Sequence, residues 1–153
     1  MRQTLSLACV ALLVIPVWGQ DRDASTQGAK FLQGEWIVVG IEDGGLKATP
    51  EELEGMRWSI KGNVITATQP GAAGRMLYKL NPEARPREID ITSLDEGPLQ
   101  GQTDPGIYEF KDGRLRICYR DPDNKKGGRP KSFLDAAPQG SGYGIIILER
   151  AKN

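Results

Sequence analysis

Hydrophobic and polar residues alternate along most of this chain, and the period is two. In "MRWSI", Met56, Trp58 and Ile60 fall on one side, with Arg57 and Ser59 on the other. "RMLYKL" groups Met76, Tyr78 and Leu80, and "REIDIT" groups Ile89 and Ile91 with Glu88 and Asp90 opposite. Successive side chains of a strand point to opposite faces, so this pattern predicts half-buried β-strands. "EWIVVGIE" is rich in β-branched residues and runs into the turn chemistry of "EDGG". "VITAT" follows the turn "KGN". "IYEF" is joined to "RLRICY" by "KDGR", in which Asp112-Gly113 suits a two-residue type I′ turn with positive φ at both positions. That register pairs Lys111 with Arg114 and Phe110 with Leu115. It sets Tyr108, Phe110, Leu115, Ile117 and Tyr119 on one core-facing side. The last strand, "YGIIILER", is apolar on both faces up to Glu149, which predicts a cover on its outer side.

Helical signals are few and short. "KFLQ" predicts one turn before Gly34. In "TPEELEG", Thr49 caps, Pro50 takes the first helical position, Glu52 completes a capping box and Gly55 stops the helix. This gives one or two turns at one end of the fold, a lid or a plug. "PKSFL" is a candidate ninth strand. Two connections are long, from Leu94 to Pro105 and from Asp121 to Gly142, and long irregular connections tend to be functional or mobile. Short connections elsewhere favour sequential antiparallel neighbours. The predicted fold is all-β: a single antiparallel, mostly meander β-barrel of about eight strands, closed so that no edge is exposed.

Length and composition narrow the picture. With 153 residues the chain supports one domain. Arg2, the apolar run Leu5 to Trp18 and the small residues around Val17-Trp18-Gly19 predict a signal peptide over 1–19, cleaved before Gln20. The run is short for a membrane span, so no span is expected to remain after cleavage. Residues 20–30 then read as a flexible linker and 31–153 as the barrel, in a periplasmic or extracellular protein. Equal numbers of basic and acidic residues, 20 of each, argue against a nucleic-acid partner. "NKKGGRPK" at 124–131 reads as a solvated loop.

Candidate chemistry is thin. Of two cysteines, Cys9 leaves with the signal, so Cys118 is expected as a half-buried, poorly reactive thiol with no disulfide partner. Histidine is absent from the sequence, which removes Ser-His-Asp and Cys-His chemistry and His-ligated zinc. Asp43, Glu88, Asp90, Asp95 and Glu109 are the carboxylates an acid–base mechanism would have to use, yet no pair of them converges on a predicted pocket. "DPDN" at 121–124 lacks the spacing of a calcium loop. No catalysis, no metal and no cofactor are expected.

Six segments in order, "GEWIVVGIEDGG", "EELEGMRWSIKGN", "YKLNPEARPREIDIT", "GIYEFKDGRLRICYR", "RPKSF" and the terminal "LER", resemble the uncharacterised domain recurrent in Planctomycetes. The resemblance spans about residues 31 to 150 and implies a fold but no reaction. Gly34-x-Trp36 is also similar to the opening motif of lipocalins. That likeness implies that Trp36 meets a basic side chain from the end of the last strand, here Arg150, in a cation–π contact closing one end of the barrel.

The inward-facing set is then Trp36, Val38, Met56, Trp58, Met76, Tyr78, Leu80, Ile89, Ile91, Tyr108, Phe110, Leu115, Ile117 and Tyr119. Alternation leaves open whether these side chains fill the barrel or line a cavity. Candidates for a cavity wall are Met56, Trp58, Met76, Tyr78, Tyr108 and Tyr119, apolar surface with a few hydroxyl handles. The sequence therefore points to an exported lipocalin-like module for a small apolar ligand or a peptide. The alternative is a structural or protein-interaction domain with a filled core, whose partner is another protein of the cell envelope.

Overall fold

The structure is a computed structural model, and it describes residues 29–124 and 127–152. The expected signal peptide and most of the linker lie outside the described residues. A helical turn over 29–32 leads into β1 (Gly34–Asp43). Then follow β2 (Leu46–Lys47), a helical turn (Pro50–Leu53), β3 (Arg57–Lys61), β4 (Val64–Gln69) and β5 (Ala72–Asn81). β6 (Glu88–Ser93), β7 (Thr103–Lys111), β8 (Arg114–Arg120), a 3₁₀ turn (Phe133–Ala136) and β9 (Tyr143–Arg150) complete the chain.

Every ladder is antiparallel, and β1 pairs with both β3 and β9, so β1 and β3 to β9 close an eight-stranded meander barrel. β2 is a two-residue addition to the far end of β1, unforeseen because so short a run has no period. Alternation puts Trp36, Trp58, Ile60, Ile65, Tyr78, Ile89, Tyr108, Leu115, Ile117 and Leu148 in one buried interior. The 112–113 hairpin has the expected register, with φ of 52° at Asp112 and 75° at Gly113.

β1 does not keep strict alternation. A register shift between Val38 and Gly40 marks a bulge, after which Ile41 rather than a residue of the Trp36–Val38 parity packs on the interior. Phe110 also departs from the expected burial. It continues the inward row of β7 but lies beyond the barrel rim, 43% exposed, resting against Phe31 and Trp36. β7 begins at Thr103, so the long connection before it is shorter than expected and Pro105 sits inside a strand.

The stretch "PKSFL" is not a strand. It runs into the 3₁₀ turn, capped by Ser132 and Asp135 in a reciprocal box. The Asp135 carboxyl accepts from the backbone N–H of Lys131 and of Ser132, which holds it below the usual carboxylate range. The turn seals a second apolar cluster outside the barrel, where Ile107, Cys118, Ala136 and Ile145 are buried beside Phe133, Tyr143 and Ile147. This accounts for the two-faced apolarity of β9: Ile146 and Leu148 face in, Ile145 and Ile147 lie under residues 127–142, which run as a strap over the outside of the barrel and carry the 3₁₀ turn. Arg129 pins the strap, donating to the carbonyls of Ile89 (3.2 Å) and Gly106 (2.7 Å) and pairing with Asp90 (2.7 Å) and Glu88 (3.4 Å).

Candidate functional site

The two ends of the barrel differ, and the difference starts at Gly34. Its φ of 112° suits glycine, and a Cβ there would lie 2.8 Å from the Arg150 guanidinium. The guanidinium fills that space, 4.2 Å from the centre of the Trp36 ring, and donates to the backbone carbonyls of Phe31 and Gln33. Trp36 pairs with Arg150 across the β1–β9 ladder, and its indole N–H donates to the Leu32 carbonyl at 2.8 Å. One basic side chain thus ties the first strand, the last strand and the N-terminal turn. Gln33 ties the same end to the β3–β4 hairpin. Its amide donates to the Gly62 carbonyl (2.9 Å) and to the Tyr78 hydroxyl (3.1 Å) and accepts from the Gly62 N–H (2.7 Å). Tyr78 itself donates to the Gly62 carbonyl at 2.8 Å. This end is plugged.

The opposite end is open. Two adjoining cavities occupy it and share Trp58 and Ile146. The first, about 360 Å³, lies between the bulged half of β1 and the β4–β5 hairpin, against Val38, Ile41, Met56, Ala67 and Ala73. The second, about 280 Å³, lies under the connection between β6 and β7, against Met76, Ile91, Ser93, Leu99, Asp104 and Tyr119. Small side chains on the hairpin make the first cavity. β5 opens with Ala72, Ala73 and Gly74 paired with Gln69, Thr68 and Ala67, and the inward parity of Ile65 and Met76 falls on Ala67, Ala72 and Gly74, so little side-chain volume projects inward there.

Of the six cavity candidates read from the sequence, the open end brings together Met56, Trp58, Met76 and Tyr119. Tyr78 and Tyr108 are elsewhere. Both are buried core residues toward the plugged end, Tyr78 with its hydroxyl engaged as above. Burial raises the pKa of each above the ordinary value for tyrosine. Gln33 offsets this in part at Tyr78, and Arg87 and Arg85 do so at Tyr108. The reason is distance along the strand: alternation fixes the face of a residue and not its height in the barrel. Sequence reasoning missed Ile41, hidden by the bulge, and Ile146, hidden in the uniformly apolar "IIIL". It also missed the hairpin alanines, whose contribution is the volume they lack.

Tyr119 carries the most perturbed phenol, pushed up to about 12 by burial first and then by Asp43, Asp121, the Cys118 sulfur and Asp104. Its ring lies against β9 where Gly144 stands; a Cβ there would come within 2.7 Å of the hydroxyl. Asp104 pairs with Arg120 at 3.3 Å and accepts from Gln102 at 3.1 Å. The other carboxylates considered for catalysis are scattered: Glu88 and Asp90 hold Arg129, Glu109 holds Arg116 at 2.5 Å, and Asp95 accepts from the Arg75 backbone N–H at 2.7 Å. Among the described residues no group of three or more metal-ligating side chains comes together, and no helix is long and apolar enough to cross a membrane. Compared with known proteins, the chain matches no family model, no curated protein and no solved structure.

Proposed function

We propose that this protein is an exported, lipocalin-like binding module that holds a small apolar ligand, or the apolar end of a peptide, in the open end of its barrel. The supporting observation is the asymmetry between the ends. One is sealed by Trp36, Arg150 and Gln33; the other carries two adjoining cavities walled by Met56, Trp58, Met76 and Tyr119. Each cavity is near the lower bound of small-molecule sites, about 300–1,000 Å³, and methionine and aromatic surface adapts to apolar guests. The Gly34, Trp36 and Arg150 arrangement supports the lipocalin likeness, and the six segments similar to the Planctomycetes domain support a shared fold. Neither assigns a ligand.

The test is a fluorescence titration with an environment-sensitive apolar probe, N-phenylnaphthylamine. Saturable binding that is abolished by Ala67→Phe, which fills the first cavity from the inward face of β4, and kept by Gln33→Glu at the plugged end supports the reading. Probe binding indifferent to Ala67→Phe contradicts it and favours the interaction-domain alternative. Export has its own test. Intact-mass analysis of the native protein should find a chain beginning at Gln20, and one still beginning at Met1 would contradict removal of the leader.

A further inference from the structure

The two cavities of the open end differ in chemistry. The one between β1 and the β4–β5 hairpin is walled by Val38, Ile41, Met56, Ala67 and Ala73, with Thr68 and Gln69 at its outer edge. The one under the β6–β7 connection presents the Ser93 hydroxyl, the Asp104 carboxylate and the Tyr119 phenol beside its apolar wall. They meet at Trp58 and Ile146, so a single guest reaching both is elongated, with one apolar and one polar end.

The sign of charge around the polar end discriminates between heads. Asp104 lines it directly, and Asp121 precedes Pro122, which lines it too. Asp43 pairs with Gly144, the residue against which the Tyr119 hydroxyl rests. The cation nearest at hand, Arg120, is engaged by Asp104 (3.3 Å) and by the carbonyls of Thr103 (3.2 Å) and Gly127 (3.1 Å). The remaining donor of Arg120, its Nε–H, has no partner among the described residues but is buried out of contact with solvent. An anionic head would therefore have to displace Asp104 from the exposed side of that guanidinium and lie among carboxylates in a partly desolvated site, where like charges repel more strongly than in water. A head that donates hydrogen bonds meets acceptors instead.

We infer that the open end takes an amphipathic chain, its apolar tail between Val38 and Ala67 and its head, an amine or a hydroxyl and not a carboxylate, at Tyr119 and Asp104. This rests on the reading of the open end as a binding site. The upward shift of the Tyr119 phenol, caused first by burial and then by Asp43, Asp121, the Cys118 sulfur and Asp104, agrees with it, because burial and carboxylates alike oppose an anion there.

The experiment compares decylamine, decanol and decanoate at pH 7 and physiological salt, each below its micellar concentration. Binding is followed by the ¹³C-methyl signals of Met56 and Met76, one in each cavity. The amine and the alcohol should move both methyls, and decanoate should bind about tenfold more weakly, a difference of about 1.4 kcal/mol. Butylamine, a head without a tail, should move neither. Asp104→Asn should shrink the gap between amine and carboxylate to about threefold or less. Tyr119→Phe, which leaves the Arg120 pair intact, should weaken the alcohol more than a headless decane chain. Decanoate binding as tightly as decylamine overturns the inference while leaving the open end a binding site, as does a gap unmoved by Asp104→Asn in a folded variant. Failure of all three ligands to move either methyl overturns the binding reading itself.

Discussion

Trp36 and Arg150 sit more than a hundred positions apart and act as one structural unit. Trp36→Ala removes a fully buried indole and should cost about 3–5 kcal/mol. Arg150→Ala loses the ring contact and two charge-assisted bonds to carbonyls, and should cost about 1–3 kcal/mol. Gly34→Ala should cost about 1–2 kcal/mol from positive φ alone, and more where the guanidinium must move. Denaturant unfolding measures all three, and the Trp36 and Arg150 losses should fail to add, because contacting residues couple. Strict additivity would contradict the unit. Cys118 is a second residue with a sharp expectation. It is fully buried, not half-buried, and burial first, then Asp135, pushes its thiol from 9.0 up to about 12, against a smaller opposing pull from Arg116. The folded chain therefore keeps protons at Cys118 and Tyr119 that the unfolded chain releases. Their contribution to stability is complete below about pH 8 and falls as pH rises toward 12. Cys118→Ala should flatten the loss between about pH 8 and 9, where the unfolded thiol, with its ordinary value of 9.0, titrates and the Tyr119 phenol, with its ordinary value of 10.0, has scarcely begun to. An unchanged pH profile would contradict this.

At the scale of elements, the strap over residues 127–142 does what a helix or second sheet does in other folds: it covers apolar residues on the outside of a barrel. Arg129 ties it to β6 and β7, beside the buried Pro130 and Ala136 and the Gly127 carbonyl held by Arg120, so Arg129→Ala should loosen it at a cost of about 1–3 kcal/mol. Labelling of native Cys118 by a thiol reagent, negligible in the parent chain, should then become measurable before global unfolding. Labelling that still waits for global unfolding would show that the 3₁₀ turn holds without the arginine. The need for such a cover was legible in "YGIIILER", apolar on both faces. Its identity was not, because "PKSFL" carries strand-like residues whose capping box, Ser132 with Asp135, outweighs them. The bulge in β1 was equally illegible: "IVVG" offers β-branched residues to both faces, and only the register with β9 decides which of them turns inward.

For the whole molecule, alternation and turn chemistry specified a closed antiparallel meander because each short connection leaves one neighbour available and closure leaves no edge. Which end stays open was not specified. That depends on how far each strand overshoots, on the tie from Gln33 to Gly62 and on the small residues Ala67, Ala72 and Gly74, none of which has a periodic signature. Tyr78 and Tyr108 had the right face and the wrong height for the cavities. The central claim is that the open end, and not the plugged one, receives an apolar guest. Apart from the initiator, the chain has only two methionines, Met56 and Met76, and both wall the open end. Methionine-methyl ¹³C spectra recorded during titration with decanol, alongside the Trp36 indole N–H signal, test the claim most directly. The account predicts saturable shifts of both methyls with the Trp36 indole unmoved; unmoved methyls, or a shift confined to Trp36, would contradict it.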